Sequence, residues 1–304
     1  MNKPSFFIVG APKCGTTSLC KYLEQHPDIF IPSIKELYYF CTDSTGKKRA
    51  NTLEEYLSFF EGGKGKLCGE GSVWYLFSKE AASEIYKFNP EAKIIIMLRE
   101  PVSLMYSLHS MHLANGSNED ILDFKLALEA EEDRKQGKRI PEKCFRLEEL
   151  LYREVVKFTD QVKRYFDTFG RNRIHVIIFD DFQVDTAKAY RETLEFLDVE
   201  PDFVPNLTPR NTNRQVRNAF LQQLTIKPPT NVLEIGKYFL PFPRSVRRNL
   251  LKKFKKSIRR SNIQKASRPP LDPKLRQSLQ QEFAAEIERL SALLGRDLTY
   301  WSKD

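Results

Sequence analysis

Gly10 and Gly15 stand five positions apart, with Lys13 between them and Thr16, Thr17 and Ser18 behind them. Residues of these types at this spacing can hold a phosphate. Glycines let backbone N–H groups turn inward, hydroxyls donate to phosphate oxygens, and a helix opening at that point adds partial positive charge. In the triphosphate-binding loop, G-x-x-x-x-G-K-[ST], lysine follows the second glycine directly. Here Thr16 holds that place and the lysine lies inside the loop, at position 13. A nucleoside triphosphate needs a cation at its β and γ phosphates and a hydroxyl on Mg²⁺. A ligand with one phosphate beyond its ribose, carrying a small transferable group, needs donors close around that phosphate. A lysine within the loop would reach the bridging oxygen of such a ligand. The plain alternative is a tight strand-to-helix turn with an exposed lysine.

Arg99 and Ser107 form a second group, the serine two helical turns beyond the arginine. A permanent charge with forked donors and a short hydroxyl bond together suit a terminal phosphate. The competing reading is an arginine paired with Glu100 or a helix end. Late in the chain, Arg210-Asn-Thr-Asn-Arg214-Gln-Val-Arg217-Asn218 is a candidate for a loop closing over the same ligand, Arg217 first and Arg214 next, or else a solvated basic loop. Cys14, Cys20, Cys41, Cys68 and Cys144 include no C-x-x-C pair and form no zinc pattern with the four histidines, so free thiols, a reducing compartment and no metal are expected.

These groups need a scaffold. Residues 5–10, 66–70, 93–98 and 174–179 read as short strands, the third (Lys-Ile-Ile-Ile-Met-Leu) most clearly. They are continuous apolar runs rather than alternating ones, as strands buried on both faces are. Helices are expected from Thr16 to the stop at His26-Pro27, over 53–60 behind an Asn51 or Thr52 cap, over 79–88, after Pro101, and over 119–136, 146–168, 186–197 and 272–293. Strand and helix alternate four times. The expected fold class is therefore α/β, a central parallel sheet with helices on both faces. Arg99, just after the clearest strand, falls at the carboxyl edge where open α/β sheets bind ligands. One domain is expected, with a basic, loop-rich lobe at about 200–271.

The stretch Pro12-Lys13-Cys14-Gly15-Thr16-Thr17-Ser18-Leu19 resembles the 5′-phosphosulfate loop of sulfotransferases that use 3′-phosphoadenylyl sulfate. The likeness is greater to the heparan-sulfate and bacterial carbohydrate type than to the cytosolic aryl type. It continues through His26-Pro27-Asp28-Ile29, Lys35-Glu36-Leu-Tyr-Tyr-Phe40, Gly69-Glu70-Gly71-Ser72, Ile96-Met-Leu-Arg99-Glu-Pro-Val102 with Ser107, Ile174 to Phe182, and Leu294 to Trp301. It thus covers nearly the whole chain, more weakly over 200–270. The resemblance implies a P-loop-like sulfotransferase fold with 3′-phosphoadenylyl sulfate as donor. It implies that Lys13, Cys14, Gly15, Thr16, Thr17 and Ser18 hold the 5′-phosphosulfate, with Lys13 also catalytic, and that Arg99 and Ser107 hold the 3′-phosphate. Glu36 takes the place of the family's catalytic base, and a carboxylate is chemically fit to accept a hydroxyl proton. His109 and His112 remain rivals for that role, since histidine bases occur in the superfamily. One departure stands out. Carbohydrate-type relatives often carry lysine and then Ser/Thr-Pro after the glutamate, where this chain has Gly71-Ser72-Val73. A contact is therefore missing or supplied elsewhere. Trp74 and Tyr75 either line an acceptor pocket or pack in the core.

Composition narrows the alternatives. The 304 residues are 41% hydrophobic and 29% charged, which excludes collagen, mucin-like stalks and a wholly disordered chain. No apolar run approaches membrane-span length and no signal peptide is visible, so a cytoplasmic location is expected. The net charge of +9 is local: residues 244–260 hold nine basic side chains and no acid, and the remainder balances at 40 against 40. No nucleic-acid partner is therefore expected. That stretch could meet an anionic membrane surface, attract an acidic acceptor, or form a solvated helix face. A P-loop kinase is the first competing function, with Asp180 and Asp181 as its only Mg²⁺ candidates. A non-catalytic anionic-surface binder is the second. The acceptor is expected to be a small molecule or a glycan; its identity and the oligomeric state are not encoded legibly.

Overall fold

The computed structural model describes residues 2–115, 118–142, 144–208, 214–216, 257, 261, 263–265 and 269–303. Five strands form one parallel sheet: β1 (Phe6–Gly10), β2 (Ile29–Phe30), β3 (Leu67–Gly71), β4 (Lys93–Leu98) and β5 (Ile174–Ile178). Their order is β2-β3-β1-β4-β5, with Phe6 level with Gly69 on one side and with Lys93 on the other. All five residues of β1 are buried, as are Ile94 to Leu98 of β4. Four strands lie where the apolar runs place them. β2 carries no such run, since two residues are too short for a pattern. A second sheet is a two-stranded antiparallel ladder, β6 (Arg214–Val216) with β7 (Ile263–Lys265).

The helices among the described residues are α1 (Thr16–Leu23), α2 (Leu53–Ser58), α3 (Ala81–Phe88), α4 (Pro101–Asn115), α5 (Phe124–Glu129), α6 (Glu131–Lys135), α7 (Tyr152–Val155), α8 (Phe158–Phe169), α9 (Phe179–Val184), α10 (Thr186–Leu197) and α11 (Pro273–Leu294). Their ends follow local chemistry. Thr52 caps α2, Asp185 caps α10 and Asp272 caps α11, each accepting a first-turn N–H at 2.9–3.1 Å. Gly295 ends α11 in the left-handed region, φ 66°. Glu100 takes the N–H groups of Val102 and Ser103 at the start of α4. It is committed to that turn and to Arg276, 3.6 Å away, rather than to Arg99.

Two expected helices are broken. The one over 119–136 is two short helices starting at Phe124, because buried Glu119 accepts from the backbone of Asp120 and Ile121 and from Arg134 and Tyr152. The one over 146–168 is a 3₁₀ turn at Leu147–Leu150, then α7 and α8, with buried Glu149 accepting from Asn118 at the break.

The chain divides into two compact units. One comprises Met1–Met105, Arg153–Asn211 and Asp272–Asp304; the other comprises Tyr106–Tyr152 and Thr212–Leu271. The basic stretch 244–260, Ser257 apart, lies outside the described residues, as does Arg217. No helix among the described residues is long and apolar enough to cross a membrane.

Candidate active site

Because β1 is central, the chain leaves its carboxyl end with the end of β3 on one side and the end of β4 on the other. That is the crevice at which doubly wound sheets take ligands. The loop after β1 is pinned on both flanks: Ala11 N–H donates to Met97 O at 2.7 Å, and Leu76 N–H donates to Val9 O at 2.8 Å. Lys13 sits at φ 66° and Gly15 at φ 89°, so the loop turns twice through the left-handed region. At Gly15 a Cβ would also stand 3.2 Å from the rings of Phe179 and Phe182. Gly15 is the N-cap of α1, and no side chain among the described residues caps that helix. First-turn N–H groups without a side-chain cap at the carboxyl edge of a sheet make an anion site.

The expected loop residues separate in their geometry. Thr16 is buried, whereas Lys13, Gly15, Thr17 and Ser18 are half-buried. Cys14 points inward: its Sγ donates to Pro12 O at 3.4 Å, and burial pushes the thiol up to about 12. Its side chain therefore serves packing, and only its backbone is available to a ligand. Arg99 follows β4 directly. Its Nη1 donates to Lys13 O at 3.1 Å and its guanidinium lies 4.5 Å over the Phe179 ring, with burial lowering its pKa from the usual value. Arg99 thus meets the loop through its backbone, and one of five N–H donors is used in doing so. Ser107 is buried on α4, among the residues of the second unit. Arg214 begins β6.

Glu36 is brought to the end of β3 by a short zipper. Its N–H donates to Gly71 O at 3.1 Å, and its carboxylate accepts from Val73 N–H at 3.0 Å. Tyr38 N–H donates to Ser72 Oγ at 3.2 Å and Phe40 N–H to Tyr75 OH at 3.4 Å. Glu36 and Tyr38 both have positive φ, 63° and 56°, which the zipper holds in place. Those two hydroxyls are themselves oriented, because each donates its proton to Glu70 Oε1, at 2.6 and 2.9 Å, while Tyr56 OH donates to Oε2 at 2.5 Å. Burial raises Glu70 to about 7 against the downward pull of the three hydroxyls. Trp74 and Tyr75 are core residues, 5% and 0% exposed.

The histidines have other partners. His109 Nε2 bonds to Ile121 O at 2.9 Å and the ring packs on Phe124 and Tyr152, with burial lowering its pKa. His112 is buried 3.7 Å from Glu149. The two Mg²⁺ candidates are also committed. Asp180 accepts from Trp301 Nε1 at 2.7 Å and Tyr300 OH at 3.0 Å, and Asp181 is gripped by both Nη atoms of Arg296. Among the described residues no three His, Cys, Asp or Glu side chains form a metal-holding group. Sequence reasoning missed the convergence of Ser72, Tyr75 and Tyr56 on Glu70, and the place of Lys35 against Gly71 and Cys20. Glu70 and Lys35 stand within motifs of the resemblance, but which side chains meet them in space is not written in those motifs.

Compared with known proteins, residues 3–291 match the sulfotransferase domain family. The chain belongs to that family. Membership places it among enzymes that transfer sulfuryl groups. Its fold is that of a sulfotransferase from Alicyclobacillus acidocaldarius, with TM-score 0.72, 32% identity and full coverage of both chains. Curated relatives include a membrane-associated sulfotransferase, kil1, of Dictyostelium discoideum, 36% identical over 33% of this chain, and carbohydrate sulfotransferase 15 of Mus musculus, 27% identical over 38% of it. The aligned parts are 21% and 28% of those two proteins, so the chain spans well under two thirds of either.

Proposed function

We propose that this sulfotransferase moves the sulfuryl group of 3′-phosphoadenylyl sulfate to a hydroxyl of a carbohydrate or glycolipid acceptor. The reading rests on one juxtaposition: the uncapped start of α1, with its internal lysine, opens beside a carboxylate that is fastened to the neighbouring strand end. The site suits the donor's 5′-phosphate. The loop turns at Lys13 and Gly15, and the α1 N–H groups and the Thr16 and Thr17 hydroxyls supply donors. Arg99 and Ser107 are assigned to the 3′-phosphate. The names of the relatives support a carbohydrate acceptor, and nothing in the loops specifies which one.

Lys13 stabilises the negative charge that grows on the bridging oxygen as its bond to sulfur breaks. Glu36 accepts the acceptor's hydroxyl proton as that oxygen forms the new bond to sulfur. The electron pair of the broken bond stays with the 5′-phosphate, giving 3′,5′-adenosine bisphosphate. As in phosphoryl transfer, there is little covalent work for the protein, and positioning with electrostatics carries the rate. Calorimetry with 3′,5′-adenosine bisphosphate tests the reading. Binding in the micromolar range is expected, and a protein that binds ATP–Mg²⁺ but not this bisphosphate overturns it.

A further inference from the structure

Lys35 precedes Glu36 and is not explained by the fold. Its Nζ is closed off from solvent and has no oxygen or nitrogen partner among the described residues. The Cys20 thiol lies beside it, and burial raises that thiol so that it stays neutral and supplies no counter-charge. An ammonium held out of water with only a neutral thiol beside it is costly, and proteins keep such a group where an anion completes it. The structure also provides the space it occupies. A Cβ on Gly71 would stand 3.0 Å from Lys35 Cε and 3.5 Å from Lys35 Nζ, and 2.9 Å from Cys20 Sγ. The missing side chain at 71 is what lets Lys35 lie across the end of β3, against the helix that follows the phosphate loop.

We propose that Lys35 is a second cation of the reaction centre, whose ammonium contacts the sulfonate oxygens of the donor. The inference rests on the donor assignment above. In an in-line transfer the sulfonate lies between the leaving oxygen, assigned to Lys13, and the attacking hydroxyl, assigned to Glu36. Lys35 adjoins Glu36 in the chain and abuts α1 through Cys20, so it flanks that interval from the β3 side. Glu36 makes no hydrogen bond to it, the carboxylate accepting instead from Val73 N–H. The donor's product lacks the sulfonate, and this separates the contact from general nucleotide binding.

The test compares binding of 3′-phosphoadenylyl sulfate and 3′,5′-adenosine bisphosphate by calorimetry, in the unaltered protein, in Lys35→Ala and in Lys35→Ala/Gly71→Lys. The double variant returns an ammonium to the same space from the end of β3. Lys35→Ala is expected to weaken the sulfonated nucleotide about tenfold while the bisphosphate changes less than twofold. The double variant is expected to recover at least threefold of that loss. Equal weakening of both nucleotides, or of neither, overturns the proposal. So does a double variant that binds the bisphosphate normally yet the sulfonated form as weakly as Lys35→Ala. Failure of the unaltered protein to bind the bisphosphate is a different result and overturns the donor assignment itself.

Discussion

In the proposed reaction Lys13 and Glu36 divide the work of one displacement, and their environments make that division testable. Glu36→Gln keeps an oxygen that can accept from Val73 N–H, so the zipper to β3 survives while the proton acceptor is lost. Turnover should fall by about 10²–10⁴, the usual share of general base catalysis, with unchanged bisphosphate affinity and melting temperature. Turnover within threefold of the original enzyme would take the base role away from Glu36. Lys13→Ala should likewise cost about 10² or more in turnover, because it removes a preorganised charge at the leaving oxygen. Here the melting temperature is again the control. The substitution also relieves a positive φ of 66° only slightly, since alanine shares that strain. Both residues stand out in the sequence as candidates because each sits within a contiguous motif. Lys35 stands in the same motif as Glu36, but the burial of its ammonium against a thiol is not foreseeable from that motif. That property depends on Cys20 and Gly71, 15 and 36 positions away, meeting it in space.

At the level of elements, the close pairing of β1 with β3 brings the loop and the Glu36 zipper together, and it depends on one glycine. A Cβ on Gly69 would lie 2.0 Å from the Phe6 ring, which is itself fully buried between the sheet's layers. Gly69→Ala should therefore destabilise the protein by about 1–3 kcal/mol through overpacking, seen as a lower urea midpoint, and Phe6→Leu should recover part of the loss in the double variant. An unchanged midpoint in Gly69→Ala would show that the two strands are not packed this closely. The four long strands were readable because β1 and the body of β4 are continuous apolar runs, and β3 and β5 each carry a single acidic or basic side chain, Glu70 and His175. The helices over 119–136 and 146–168 were misread for the opposite reason. Their charged residues resemble a solvated face, yet Glu119, Glu149, Arg134 and Arg146 are buried and partnered, and those partners break the helices. Burial of a charge is a tertiary fact that periodicity does not carry.

Across the whole molecule, two titratable groups, buried Glu70 and half-buried His175, pull stability in opposite directions with pH. Glu70 is raised by burial from 4.5 to about 7. The folded state then holds a proton that the unfolded state has released, so its contribution is complete below pH 4.5 and fades as pH rises to about 7. His175, on the edge strand β5 and stacked on Phe196, is lowered by burial from 6.5 to about 4. Its contribution is complete above pH 6.5 and fades as pH falls towards 4, because the unfolded state takes up a proton that the folded state refuses. Between pH 4.5 and 6.5 the two slopes oppose one another, each at most about 1.4 kcal/mol per pH unit. Removing one should expose the other. Relative to the original protein, Glu70→Gln should gain stability as pH rises from 5 to 6.5, and His175→Leu should lose it over the same interval. Urea unfolding at the two pH values reads this directly, because a constant packing penalty from either substitution cancels in the difference. If the stability difference between Glu70→Gln and the original protein is the same at both values, Glu70 does not keep its proton in the fold. The hydroxyls of Ser72, Tyr75 and Tyr56 would then surround a full carboxylate, making the anchor of the Glu36 zipper an anion rather than an acid.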